Sequence, residues 1–274
     1  MSAPLLQVLG ALLIACVPIG IIIYARLLRH LREKGGRVQT AAVAIPDGLL
    51  ASFLFLFLAM QTVLVITRGD AEPAPKITFE KVLPSALFCL GALALLITFL
   101  QVRGVELRRF FGLQGMRGAR AAILAVGLIF ALFPILLVIG AAANAALGAE
   151  AQEQELIGIF RETFIESDYA ALALLAVVAA ISQPLVEEVF FRGYFYVVGK
   201  RYLGALASAV ATSLLFAAVH FNAAAFPALV VLALAFTLAY EVTGTILVPI
   251  VMHATFNSAQ LALLAWQAHG IPSP

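Results

Sequence analysis

"YAALALLAVVAAISQPLVEEVFFRGYFYVVGK", residues 169 to 200, decides how this chain is read. From Tyr169 to Ser182 it carries no charge, and its total length exceeds the roughly 20 apolar residues that span a bilayer as a helix. Yet Glu187, Glu188 and Arg192 fall inside it. One charge at the centre of a membrane helix costs about 2.5–3.5 kcal/mol even on a lenient insertion scale. Three such groups so close together need partners, water or a chemical task.

The rest of the chain supports the membrane reading. Of 274 residues, 63% are hydrophobic. A soluble domain of this size leaves too much surface exposed to hide so much apolar material. Apolar runs and charge breaks predict spans over about 5–25, 45–66, 82–102, 121–146, 169–199, 203–222, 225–241 and 245–267. The expected fold is all-α, a polytopic integral membrane protein of about eight transmembrane helices. It divides into an N-terminal four-helix region, 1–150, and a core, 151–274, within one continuous membrane domain.

Charge distribution sets the orientation. Arg26, Arg29, Arg32, Lys34 and Arg37 flank the first span, Arg103, Arg108, Arg109, Arg117 and Arg120 the third, and Lys200 with Arg201 the fifth. Residues 147 to 168 are acidic, with Glu150, Glu153, Glu155, Glu162, Glu166 and Asp168 against Arg161. Lys and Arg in short loops mark the cytoplasmic side. Both termini are then expected outside the cytoplasm, and the polar cavity is expected to open to the cytoplasm. Nucleic acid is excluded as a partner, because the positive charge is confined to membrane-flanking loops. "LIAC" (Leu13 to Cys16) resembles a lipoprotein cleavage box. It lacks a preceding basic residue and the apolar run continues past it, so an uncleaved first helix is expected. Cys16 and Cys89 lie in separate apolar runs and predict no disulfide.

Three polar pairs fall in the last third, each at i,i+4 and so on one helical face: Glu188 with Arg192, Phe216 with His220, and His253 with Asn257. At about 1.5 Å per residue, Glu187 lies about 20 Å along the helix from Lys200, and His220 about 26 Å from Leu203. His253 and Asn257 lie about 12 and 18 Å from Thr245. Three helices thus bring polar groups to overlapping depths, which predicts one shared cavity. Peptide hydrolysis needs an activated water, donors for an oxyanion and a proton for the leaving amine. A desolvated carboxylate can serve as base and then acid. An imidazole can share the water's proton, and a second imidazole with an amide can supply oxyanion donors. Arg192 would hold Glu188 ionised, leaving Glu187 free to change protonation state.

"EEVFFRG", "FAAVH" and "HATFN" have the forms EExxxR, FxxxH and HxxxN, in an order that resembles the CPBP family of intramembrane peptidases. That family comprises the type II CAAX prenyl endopeptidases and their bacteriocin-processing or immunity relatives. The stretch "FTLAYEVTGTILVPIVMHATFN" resembles it too, and the resemblance covers about residues 169 to 260. It implies an intramembrane endopeptidase in which Glu187 and His220 activate water, His253 and Asn257 form the oxyanion site, and Glu188 and Arg192 support them. Such relatives have been described both with and without a metal. Glu187, His220 and His253 are the residues that would make a His₂Glu zinc site. The HExxH signature is absent, and no obligatory metal is expected.

Plainer readings stand beside these. Glu188–Arg192 serves equally as a structural ion pair, and His220, His253 and Asn257 as polar bridges between helices. Phe190, Phe191 and Phe216 read as packing residues, and His30 and His269 as solvated. Asp47 reads as hydrated at the inner edge, Glu241 as interfacial, and "YEVTG" (Tyr240 to Gly244) as the turn between the last two helices. "VELRRFFGLQGMRGAR" reads as a surface helix or a solvated loop, and "RGDAEPAPKITFEK" as an external connector. The competing functions are a non-catalytic immunity or regulatory protein of the same fold, and a proton-coupled transporter. No paired halves with interrupted helices support the transporter. The Ala-rich composition and short loops point to a bacterial inner membrane and to a peptide or membrane-protein substrate.

Overall fold

The computed structural model describes residues 3–67, 79–147 and 169–268. Among these residues every regular element is helical, and seven helices are long and apolar enough to cross a membrane. The chain is an integral membrane protein. Residues 68–78 of the external connector, residues 148–168 of the acidic segment and His269 lie outside the described residues.

The helices are α1 (Ala3–Lys34), α2 (Ile45–Thr67), α3 (Phe79–Val102), the single turn α4 (Leu107–Phe110), α5 (Gly118–Leu147), α6 (Tyr169–Leu203), α7 (Ala205–Ala218), α8 (Phe226–Thr243) and α9 (Leu247–Ala268). Each predicted span corresponds to one long helix except the sixth. There α7 has only 14 residues and stops before His220. At about 21 Å it falls short of the roughly 30 Å hydrocarbon core. The helix α6 is interrupted by two π-helical stretches, Val178–Ser182 and Val189–Tyr196, which bracket Gln183–Glu188. Such insertions often occur at functional sites.

Local signals place several ends. Asp47, in the first turn of α2, reaches back to accept a hydrogen bond from Ala44 N at 2.7 Å, which satisfies a donor the helix leaves open. Pro227 opens α8, where its missing N–H does no harm. Gly244 ends α8 at φ +72°, so "YEVTG" makes the expected turn. Gly112, at φ +67°, lies so close to the Gly244 carbonyl that any Cβ would collide with it.

The core lies where α6, α7, α8 and α9 meet. The helix α5 packs along α9 and α8, α1 along α5 and α8, and α2 and α3 along α6. The end of the bundle that carries the basic loops is cross-tied. Arg37 N donates to Glu241 O at 2.8 Å, and Ile246 N donates to Phe111 O at 3.1 Å. Phe110 and Phe111 are buried and anchor the segment after α3 to the bundle, while its Arg108, Arg109, Arg117 and Arg120 are exposed.

Two carboxylates expected in water are buried instead. Asp47 pairs with Arg103, and Tyr194 Oη donates to its carbonyl at 3.2 Å. Glu241 accepts from the Tyr196 hydroxyl, the Lys200 ammonium and, at 3.4 Å, Val38 N. The physical reason is the same for both: a basic or hydroxyl partner arrives from a helix or turn distant in sequence, and a buried charge is tolerated only when paired. Glu241→Ala should strand the Lys200 ammonium and the Val38 amide. Lys200 keeps some solvent, so the expected loss is about 3 kcal/mol, at the low end for a broken buried pair. A thermal unfolding midpoint in detergent unchanged from wild type would contradict this.

Candidate active site

The carboxylates sit on the short α-helical stretch between the two π segments of α6. Glu188 is fully buried, and its Oε1 accepts from Arg192 Nη1 at 2.8 Å and from His253 Nδ1 at 2.9 Å. The expected ion pair is therefore present and extends to a third residue on α9. The Arg192 guanidinium carbon lies 4.5 Å from the Phe216 ring centroid and 5.1 Å from that of Phe236. Two aromatic faces thus hold the cation that water would otherwise solvate.

Glu187 is held differently. Its Oε1 accepts from Gln183 Nε2 at 2.8 Å, one turn back on α6. Its Oε2 is buried with no hydrogen-bond partner and lies 3.8 Å from His253 Nε2. That gap is too long for a direct hydrogen bond. It is short enough for a single oxygen to touch both atoms.

His220 lies one turn beyond Phe216, just past the last helical residue of α7. Its Nδ1 is 2.6 Å from Phe216 O, one of the carbonyls that the helix end leaves without an intrahelical donor. Its ring lies 4.7 Å from the Phe216 ring, and the His253 ring 5.8 Å from the same ring. In both histidines Nδ1 faces an oxygen that only accepts, a carbonyl or a carboxylate. Both Nδ1 atoms are therefore assigned the proton, which leaves each Nε2 as the chemically available nitrogen.

Asn257 is explained by the π turn. Gln183 N–H bonds back to Val178 O, five residues earlier, so the next link in that register would run from residue 184 to Ala179 O. Residue 184 is proline and has no N–H. Asn257 Nδ2 donates to Ala179 O at 2.8 Å in its place. Its amide oxygen and second N–H remain for other partners. Asn257→Ala should cost about 1–3 kcal/mol by orphaning that carbonyl. The loss should shrink in a Pro184→Ala background, where a backbone N–H is restored. Equal losses in the two backgrounds, measured by thermal unfolding, would disprove this account.

The structure thus joins Glu188, Arg192 and His253 directly, sets Glu187 Oε2 3.8 Å from His253 Nε2, places His220 against the Phe216 ring that Arg192 and His253 also approach, and ties Asn257 to the turn that precedes the carboxylates. Sequence reading missed Gln183, Phe236 and the Ala179 carbonyl. Gln183 at i,i+4 to Glu187 and a proline in a membrane helix were the available signals. Among the described residues no group of three His, Cys, Asp or Glu side chains is arranged to hold a metal ion. Glu187, His220 and His253 do not form such a set here. An apolar groove of about 530 Å³ between α2, α6 and α7, lined by Leu49, Phe55, Phe195 and Tyr202, contains none of these residues.

Between the cluster and the basic loops the helices are closely packed. On that side Phe191, Tyr194, Phe195 and Tyr196 of α6, Phe236 and Tyr240 of α8, and Met252 of α9 are all buried. Large aromatic side chains fill the space between the helices there.

Residues 169–259 match the family described as type II CAAX prenyl endopeptidase, Rce1-like. No curated protein and no solved structure matches the chain. The match covers α6 to α9 and every residue of the carboxylate–histidine cluster, about a third of the chain, and over that stretch it agrees with the family that the three motifs resemble.

Proposed function

We propose that the chain is an intramembrane endopeptidase that hydrolyses a peptide bond in a peptide or membrane-protein substrate, with Glu187 as the base. One observation carries the reading. Two adjacent carboxylates share a buried site: Glu188 is clamped through Oε1 by a cation and an imidazole, while Glu187 takes its hydrogen bond from the neutral Gln183 amide and sets its unpartnered Oε2 3.8 Å from His253 Nε2. A structural ion pair needs only the first.

In the proposed reaction Glu187 Oε2 takes a proton from water, and the resulting hydroxide attacks the peptide carbonyl carbon. His220 Nε2 accepts a hydrogen bond from the hydrogen that the water keeps, and so orients it. The carbonyl oxygen becomes an oxyanion, which receives hydrogen bonds from His253 Nε2–H and the free Asn257 N–H. For His253 to donate from Nε2 it must be the imidazolium, and the Glu188 carboxylate on Nδ1 is the counter-charge such a cation needs. The C–N bond then breaks, and the proton held by Glu187 passes to the leaving amine. The base is thereby restored. Glu188 and Arg192 act by positioning His253. We propose no obligatory metal; zinc content of the purified protein against its activity tests that point.

The function is tested by comparing the proteomes of cells carrying wild type and Glu187→Gln. An uncut precursor should accumulate in the variant. Identical peptide termini in both would remove the peptidase reading.

A further inference from the structure

Glu187 and Glu188 are neighbours in sequence, yet the groups that hold them differ in charge. Arg192 and His253 converge on Glu188 Oε1. The hydrogen bond on Glu187 Oε1 comes instead from the neutral side-chain amide of Gln183, 2.8 Å away. An ionised carboxylate only accepts, so the amide presents its Nε2–H. The spacing is set by α6. The stretch Gln183–Glu188 keeps α-helical register between the two π segments, and residues four apart in that register share a face.

The two oxygens of a free carboxylate are equivalent, and the torsion that exchanges them is broad and roughly two-fold. Gln183 removes the equivalence. Its N–H occupies Oε1, which leaves Oε2 as the oxygen without a partner, 3.8 Å from His253 Nε2. Neutrality matters as much as direction. A cation at residue 183 would favour the charged form of Glu187 and oppose the step in which that residue holds a proton. The amide suits both forms. When Oε2 carries the proton, Oε1 is a carbonyl oxygen and still accepts from the same N–H.

We propose that Gln183 is the positioning residue of the base. It holds Oε1 in both protonation states and so reserves Oε2 for the proton that is taken from water and returned to the leaving amine. Its effect on turnover rests on the peptidase reading; its hold on the carboxyl group does not.

Two variants test this. Gln183→Met has similar length and no donor. Gln183→Asn keeps the amide but is one methylene too short to reach, and it stands in if the first variant misfolds. With the precursor that accumulates in Glu187→Gln cells as substrate, both purified variants should lose about 10–100-fold in kcat. KM should stay within about twofold of wild type, because the bond acts on the base and not on substrate binding. A raised KM with unchanged kcat, or a wild-type kcat in both variants, would overturn the proposal. The hold itself is read by infrared spectra in acid. Subtracting Glu187→Gln from wild type isolates the carboxyl C=O band of residue 187. The same subtraction in a Gln183→Met background should give a band at higher frequency, since that C=O has lost its hydrogen bond. An unmoved band would overturn the hold whatever the enzyme does. Wild-type turnover by Glu187→Gln would remove the base reading, and a moved band would still leave Gln183 holding that carboxyl.

Discussion

Glu187→Gln should reduce cleavage by about 10²–10⁴-fold, the usual contribution of a positioned general base, while leaving the fold intact. The substitution is nearly isosteric, and an amide oxygen at this position can still accept from Gln183, which lies 2.8 Å from the present carboxylate. What it loses is the ability to take a proton at the unpartnered oxygen. Turnover of the precursor identified in vivo, measured with purified protein, reads the first effect, and the unfolding midpoint reads the second. A variant that retains more than a tenth of wild-type turnover would assign the base to another residue. His220→Ala should fall in the same direction with a smaller loss, because it removes an orienting acceptor and leaves the carboxylate in place.

Arg192→Met should be the most destabilising single change in the site. The guanidinium is buried between Phe216 and Phe236 and is the permanently charged partner of Glu188. Removing one member of a buried ion pair costs about 3–5 kcal/mol, since the other is left charged in a poorly polarisable surrounding. Arg192→Lys should recover only part of this, because an ammonium cannot lie flat between two rings while reaching a carboxylate. The double variant Glu188→Gln/Arg192→Met should regain much of the stability, because it removes both charges together. It should not regain activity, because His253 then lacks the counter-charge on Nδ1. A double-mutant cycle on the unfolding free energy, run beside turnover, separates the two roles. If the two single variants simply added, the pairing would not be the source of the loss.

These effects trace to residues that differ in how far they could be read in advance. Glu188 and Arg192 were legible because both partners lie on one helical face, where spacing alone sets proximity. The turn at Gly244 was legible because left-handed backbone favours glycine. Glu241 and Asp47 were misread because their partners, Lys200, Tyr196 and Arg103, come from other helices and loops. The role of Asn257 depends on a register change in α6 that no periodicity marks. Proline at 184 announces that a donor is missing but not which side chain will replace it.

By itself, the order of residues determined an all-helical membrane protein, the positions of its spans, the side that carries the basic loops and the motifs of the cluster. All of these follow from hydropathy, helical spacing and charge, which act over a few turns of one chain segment. Only the tertiary structure decided that His253 reaches Glu188, that Phe216 and Phe236 enclose Arg192, that α7 ends after 14 residues and before His220, and that buried aromatic side chains fill the space between the cluster and the basic loops. Each of these depends on how helices distant in sequence pack against one another. Filling the space between them is a property of several segments at once, and no single segment contains it.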